Sequence, residues 1–233
     1  MTSIEEDSLK YWSERWEANQ IGFHKTEVHP MLIKHLDKLN SQDGKKPKNI
    51  FVPLCGKSLD MKWLADQGIQ TVGVEGIQSA IEQFYTEQGL EWEEKTVPAL
   101  DATGKLFSSK DGVLKLYCAD MLKFSKDIAG VFDAVWDRGS LVALNRKDLG
   151  RYSKIIKDLL KPGGHILIEL LQFDVKIMND LSGPTKPPPP FPTYEEDLKK
   201  LFEPECSIQF VDKSGRKLAG KDIVAAIYLI TKL

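Results

Sequence analysis

A chain of 233 residues with 42% hydrophobic and 28% charged side chains is long enough for a full core, and it reads as one domain over residues 1–233. A net charge of −2 and a pI of about 6.1 argue against binding nucleic-acid phosphates, and no apolar run approaches membrane-spanning length. The polar, acidic start MTSIEEDSLK is neither a secretory signal nor an Arg-rich transit peptide, and Cys55, Cys118 and Cys206 show no C-x-x-C spacing, so the expectation is free thiols in a cytoplasmic protein.

In chain order, Ser8–Asn19 reads as an amphipathic helix with Trp12 and Trp16 one turn apart on one face. The tryptophans are either core or the aromatic face of an N-terminal lid. A looser segment, Gln20–His24, follows. A second helix starts near Pro30, a residue suited to the first turn, and turns Leu32, Ile33, Leu36 and Leu39 inward. His24 and His29 lack a cysteine or acid that would complete a metal set, so no metal is expected. Residues 41–48 (SQDGKKPK) form a solvated linker.

The informative stretch is NIFVPLCGKSLDMKWLADQ, Asn49–Gln67. An apolar strand breaks at Pro53 and turns through Leu54-Cys55-Gly56. A helix runs from about Ser58, its cap, to Gln67, and Gly68 ends it. The next strand, Gln70–Val74, closes on Glu75, 19 residues after Gly56. That matches the spacing of roughly 20 residues at which an acid takes the ribose hydroxyls in nucleotide-binding sheets. The alternative is an ordinary α/β unit with a charged strand end. Gly56-Lys57-Ser58 is not a phosphate-binding loop, because Phe51 stands where such a loop needs glycine. The G-x-G-x-x-G fingerprint is absent too. A turn with one glycine suits a nucleoside without phosphates, and S-adenosylmethionine is one.

Further along, a helix covers about Gln78–Gln88, and Glu91–Leu100 reads as irregular. Lys105–Cys118 is a hairpin around Asp111-Gly112, ending at Ala119-Asp120-Met121. The strand Val131–Trp136 opens into Asp137-Arg138. A helix near Leu149–Leu160, a tight turn at Lys161–Gly164 and an apolar strand, His165–Leu171, follow. Ser182–Pro192 is read as extended, Thr193-x-x-Glu196 as a capping box, and Ser207–Val211 and Val224–Thr231 as closing strands. Alternating elements of this kind predict a mostly parallel sheet with helices on both faces. Ligands in such a sheet sit beyond the C-terminal strand ends, where Leu54–Gly56, Glu75, Asp120-Met121 and Asp137-Arg138 converge. Asp120 is placed to accept from an adenine amino group or is a solvated acid. Arg138 is a site residue or the ion-pair partner of Asp137. Cys55 lacks a placed base and reads as a small turn residue.

These residues resemble a known family, thiopurine S-methyltransferase. The matching segments are W-x-x-x-W-x-x-x-x-x-x-F-H at Trp12–His24, VPLCGKSLDMKWLADQG at Val52–Gly68, VGVE at Val72–Glu75, LYC at Leu116–Cys118, WDRGSLVALN at Trp136–Asn145, PPF at Pro189–Phe191 and YLIT at Tyr228–Thr231. The resemblance implies an S-adenosylmethionine-dependent S-methyltransferase acting on a small aromatic or heterocyclic thiol. It implies a Rossmann-like class I α/β fold with a mostly parallel seven-stranded sheet, an N-terminal helical lid and an additional hairpin. It places Trp12 and Trp16 in the lid, Leu54, Gly56, Glu75 and Arg138 around the cofactor, Asp120 and Met121 at the adenine, and Phe23 in the acceptor pocket. Gly76 stands where the family often has an apolar side chain against the adenine, so Ile77 is expected to serve. Arg216 is the best match to the family's substrate-side arginine, in a segment, Cys206–Lys221, shorter than in the mammalian enzymes. Selenium or halide methylation on the same fold, and a nicotinamide-dependent oxidoreductase, are the alternatives. The expected partner is the acceptor alone, with no nucleic acid or membrane, and the protein is expected to be a monomer.

Overall fold

The computed structural model describes residues 8–100, 104–177 and 189–233. Five strands lie parallel at its centre: β1 (Asn49–Val52), β2 (Gln70–Glu75), β5 (Leu114–Cys118), β6 (Phe132–Arg138) and β7 (Leu160–Gln172). Antiparallel strands flank them. β3 (Trp92–Thr96) and β4 (Lys105–Ser109) extend the β5 side, and β8 (Cys206–Leu218) and β9 (Lys221–Lys232) extend the β7 side. The order across the nine-stranded sheet is β3-β4-β5-β2-β1-β6-β7-β9-β8.

The helices are α1 (Ser8–Glu17), α2 (Pro30–His35), α3 (Leu59–Asp66), α4 (Gln78–Glu87), α5 (Lys126–Ala129), α6 (Leu149–Leu159) and α7 (Glu195–Phe202). The two-residue period of the strands sorts their side chains between two apolar layers. Ile50, Val52, Ala134 and Trp136 face α3 and α4, with Met61, Leu64, Ile81 and Phe84. Phe51 and Val135 face α6 and α7, with Tyr152, Ile156, Leu198 and Phe202.

Several local expectations are met in detail. The Ser58 hydroxyl accepts the Asp60 N–H at 3.3 Å and opens α3, and Gly68, at φ +79°, follows its end. Others are corrected. Trp92–Thr96, read as irregular, is strand β3 and pairs antiparallel with β4 along its full length, from Trp92 opposite Ser109 to Thr96 opposite Lys105. Lys161–Gly164 is an irregular excursion inside β7 rather than a turn before it, since the register jumps from Phe132–Leu160 to Ala134–His165. Ile33 is exposed, whereas Leu32 and Leu39 are buried, because a 3₁₀ turn over Leu36–Leu39 rotates the face. The cap of α7 lies one residue later than Thr193: the Asp197 carboxylate accepts the Tyr194 N–H at 2.9 Å. Most of the proline-rich stretch lies outside the described residues.

Candidate active site

The C-terminal ends of β1, β2, β5 and β6 open beneath α1 onto a cavity of about 700 Å³. At the end of β1 the chain turns sharply, with Leu54 at φ +41° and Gly56 at φ +51°. The left-handed backbone is free for glycine but costs leucine about 1–2 kcal/mol. The Ser140 hydroxyl donates to the Pro53 carbonyl at 2.8 Å, which ties this turn to the end of β6. Leu54 and Gly56 both line the cavity.

Glu75 is buried at the end of β2. Its Oε2 accepts the Gly56 N–H and its Oε1 the Ile77 N–H, both at 2.9 Å. Burial raises its pKa, against the lowering effect of these N–H groups. Each carboxylate oxygen has two lone pairs, so each retains one acceptor site for a hydroxyl. On the neighbouring strand the Ala119 N–H donates to the Glu75 carbonyl at 3.0 Å, which sets residues 75–77 beside 119–121. The Asp120 carboxylate accepts the Leu122 N–H at 2.9 Å and caps the short turn that carries Met121.

The opposite end of the cavity is cationic. Arg138, at the end of β6, donates from Nη1 to the Phe23 carbonyl at 3.0 Å. Its Nε is buried without a hydrogen-bond partner, 3.8 Å from Glu169 Oε1. Arg216, on β8, donates to that same Oε1 at 3.1 Å, and His29 Nε2 stands 3.0 Å from Oε2. Burial alone would raise the pKa of Glu169, but the His29 contact and the charges of Arg138 and Arg216 hold it below its ordinary value. Lys25 lines the same wall, its pKa lowered by burial and by the two arginines. His24 is lowered by burial and by Lys57, so its imidazole is neutral near pH 7.

The lid is an aromatic packet. The Trp12 and Trp16 rings meet Phe23 edge-on, at centroid distances of 5.3 and 5.7 Å. Trp16 is buried against Ile77 and Ala80, and its ring stands 3.2 Å from where a Cβ on Gly56 would be. Trp12, Trp16 and Phe23 all line the cavity.

The structure thus brings Trp12, Trp16, Phe23, Leu54, Gly56, Glu75, Asp120, Met121, Arg138 and Arg216 to one cavity. Ile77 is placed otherwise: its side chain packs against Trp16 and Ala80 at the start of α4, and only its N–H reaches the site, through Glu75. Arg138 is not the partner of Asp137, whose carboxylate accepts from the Tyr152 hydroxyl at 2.6 Å and the Leu141 N–H at 3.3 Å. Cys55 is buried, and burial together with Glu75 pushes its pKa well up, which fits a small turn residue rather than a nucleophile. Sequence reasoning missed Glu169, His29 and Leu9. The signal for Glu169 was a lone acid inside the apolar run HILIELL, since a carboxylate buried there needs partners.

A sheet with a parallel centre, a glycine turn after its first strand, an acid closing the second and a ligand-sized cavity above both is the Rossmann-like arrangement of nucleotide-cofactor enzymes, the class I S-adenosylmethionine-dependent methyltransferases among them. Solved structures agree on the fold. The N-methyltransferase NodS from Bradyrhizobium japonicum, in complex with S-adenosyl-L-homocysteine, superposes with a TM-score of 0.61 at 16% identity, over 97% of this chain and 99% of its own. The 1,6-didemethyltoxoflavin-N1-methyltransferase from Burkholderia thailandensis, with bound S-adenosylhomocysteine, gives 0.61 at 15% identity, over 97% and 87%. The family profile of thiopurine S-methyltransferase (TPMT) matches residues 8–221. Thiopurine S-methyltransferase from the dog (Canis lupus familiaris) is 38% identical over 97% of this chain and 90% of its own length. A probable thiopurine S-methyltransferase from zebrafish (Danio rerio) is 35% identical over 96% and 94%. The chain belongs to the thiopurine S-methyltransferase family and is an S-adenosylmethionine-dependent S-methyltransferase.

Proposed function

We propose that the protein methylates the sulfur of a small aromatic or heterocyclic thiol, bound as its thiolate at the Phe23–Arg138–Arg216 end of the cavity. The observation that carries this reading is the charge polarity of the cavity. Glu75 and Asp120 line one end, and Lys25, Arg138 and Arg216 gather around a single carboxylate, Glu169, at the other. The buried, unpartnered Nε–H of Arg138 leaves a donor that an anion would satisfy. Neither a nicotinamide oxidoreductase nor a halide methyltransferase is favoured by the family.

The residues fit the cofactor. Gly56 leaves open, under Trp16, the space that a Cβ would fill, and Glu75 has acceptor sites for the ribose hydroxyls. Leu54 and Met121 would add apolar walls, and Asp120 would accept from the adenine amino group. When bound, S-adenosylmethionine would supply the methyl group: the thiolate sulfur takes it in line as the sulfonium S–CH3 bond breaks, and neutral S-adenosylhomocysteine is the leaving group. The chain's own part is alignment. Holding reactants at about 3–3.5 Å in line lowers a barrier by roughly 7–11 kcal/mol. Trp12, Trp16 and Phe23 exclude water, and Arg138 and Arg216 keep the thiol ionised. For a thiol that arrives protonated, neutral His24 is the proton acceptor this wall offers.

In this reading the whole chain works as one domain and as a monomer in a reducing compartment. Cysteines that form no disulfide among the described residues suit such a compartment. The deciding experiment is methyl transfer from labelled cofactor to a panel of aromatic thiols, aliphatic thiols, selenols, halides and amines. Aromatic thiols should react fastest. Transfer to amines or halides alone would refute the proposal.

A further inference from the structure

The site lacks a side chain where a bound nucleobase would need one. With its ribose on Glu75 and its amino group at Asp120, an adenine would span the seam between residues 75–77 and 119–121, beside Gly76. Gly76 has no side chain, and that of Ile77 is turned into the packing of Trp16 and Ala80. The space is nevertheless filled. A Cβ built on Gly76 would stand 2.3 Å from Leu9 Cδ2 and 3.8 Å from Leu9 Cγ and the Ala119 carbonyl. Leu9, in the first turn of α1, therefore puts its terminal methyl in the volume that a residue-76 side chain would occupy. It lines the cavity, and the residue as a whole is 38% exposed, so it has apolar surface that a ligand could cover.

From this we infer that Leu9 is a positioning residue for the cofactor: the lid, and not the sheet, carries the apolar wall against the nucleobase. The inference rests on the proposed placement of the ribose and adenine at Glu75 and Asp120. Covering a leucine side chain is a substantial part of small-ligand affinity, and here that part depends on α1 being closed. Glycine at 76 and leucine at 9 form a reciprocal pair, because a side chain at either position excludes the other.

Calorimetric titration of the full chain with S-adenosylhomocysteine and with 5′-methylthioadenosine tests the pair. Leu9→Ala should weaken both ligands about tenfold, since both carry the base. Gly76→Val alone should also weaken them, by displacing Leu9. The double variant Leu9→Ala/Gly76→Val should return to within about threefold of the original affinity, because the wall is rebuilt from the sheet. If Leu9 merely seats the helix, filling its seat from position 76 cannot help and the two losses add; that result overturns the inference. So does an unchanged affinity in a folded Leu9→Ala variant. Glu75→Gln, titrated alongside, separates the failures. Loss of binding there with no effect at Leu9 removes only the inference, whereas full binding there shows that the ribose site itself has been misplaced.

Discussion

Glu75 holds both sides of the cofactor corner, with one backbone N–H from the turn after β1 and one from the start of α4. Glu75→Ala should weaken S-adenosylhomocysteine binding by roughly 1–3 kcal/mol, the range for hydrogen bonds to a charged group and for leaving buried N–H groups unpaired. An unchanged dissociation constant in a folded variant would take Glu75 out of the site. At the other end, Arg216→Met keeps length and removes charge. If the arginine acts on the acceptor, as proposed, this should slow turnover more than it weakens cofactor binding. Aliphatic thiols, with pKa near 8.5, should gain rate from pH 7 to 9, while more acidic aromatic thiols stay flat over that range. Glu169 gives a separate pH signature. Its pKa is lowered from 4.5 in the folded state, so its contribution to stability is present above pH 4.5 and is lost as pH falls through the folded value. Glu169→Gln should lower stability at pH 7 by roughly 3 kcal/mol, since it leaves buried cations without their counter-charge. It should also flatten the acid limb of a pH series of denaturant melts.

At the scale of elements, the two ends of the chain differ in what holds them. Helix α1 sits on the sheet through Trp16 and Leu9, over Gly56 and Gly76, and contributes no strand. Deleting residues 1–20 should leave a folded protein with weaker cofactor binding and lower activity, read by circular dichroism and titration. Inside the sheet, Gly73 on β2 packs against the turn and α3: a Cβ there would stand 2.6 Å from Cys55 Sγ and 3.0 Å from Met61 Sδ. Gly73→Ala should cost about 1–3 kcal/mol through overpacking, and Cys55→Ala should recover part of it in denaturant melts. The elements that sequence patterns show well are those with a buried face or a strong cap, such as α3 and the hairpin around Asp111-Gly112. β3 escaped because every one of its residues is exposed, so Trp92–Thr96 has no apolar alternation to read. The missed register of α7 has a similar cause: Thr193 and Tyr194 both stand where a cap would, and Asp197 rather than Glu196 reaches back.

Across the whole molecule, the meeting of Leu54, Gly56, Glu75 and Asp120 at one cavity was legible because strand ends, a glycine turn and an acid recur at a readable spacing. The acceptor end was not, because Phe23, His29, Arg138, Glu169 and Arg216 come from distant parts of the chain and meet only in the folded sheet. Sequence also showed no reason for Leu9 to matter, since its role exists only against a bare Gly76.

β8, which carries Arg216, lies at the rim of the sheet and has β9 as its one paired strand. A strand with one neighbour can gain or lose residues at its far tip without moving the strands inside it. Apart from the α1 lid, the parts of the cavity proposed for the methyl donor lie at inner strand ends and have no such freedom. Change in which thiols are accepted is therefore cheap in this architecture, and change in the methyl donor is not. Members of such a family can diverge in diet while keeping the same fuel.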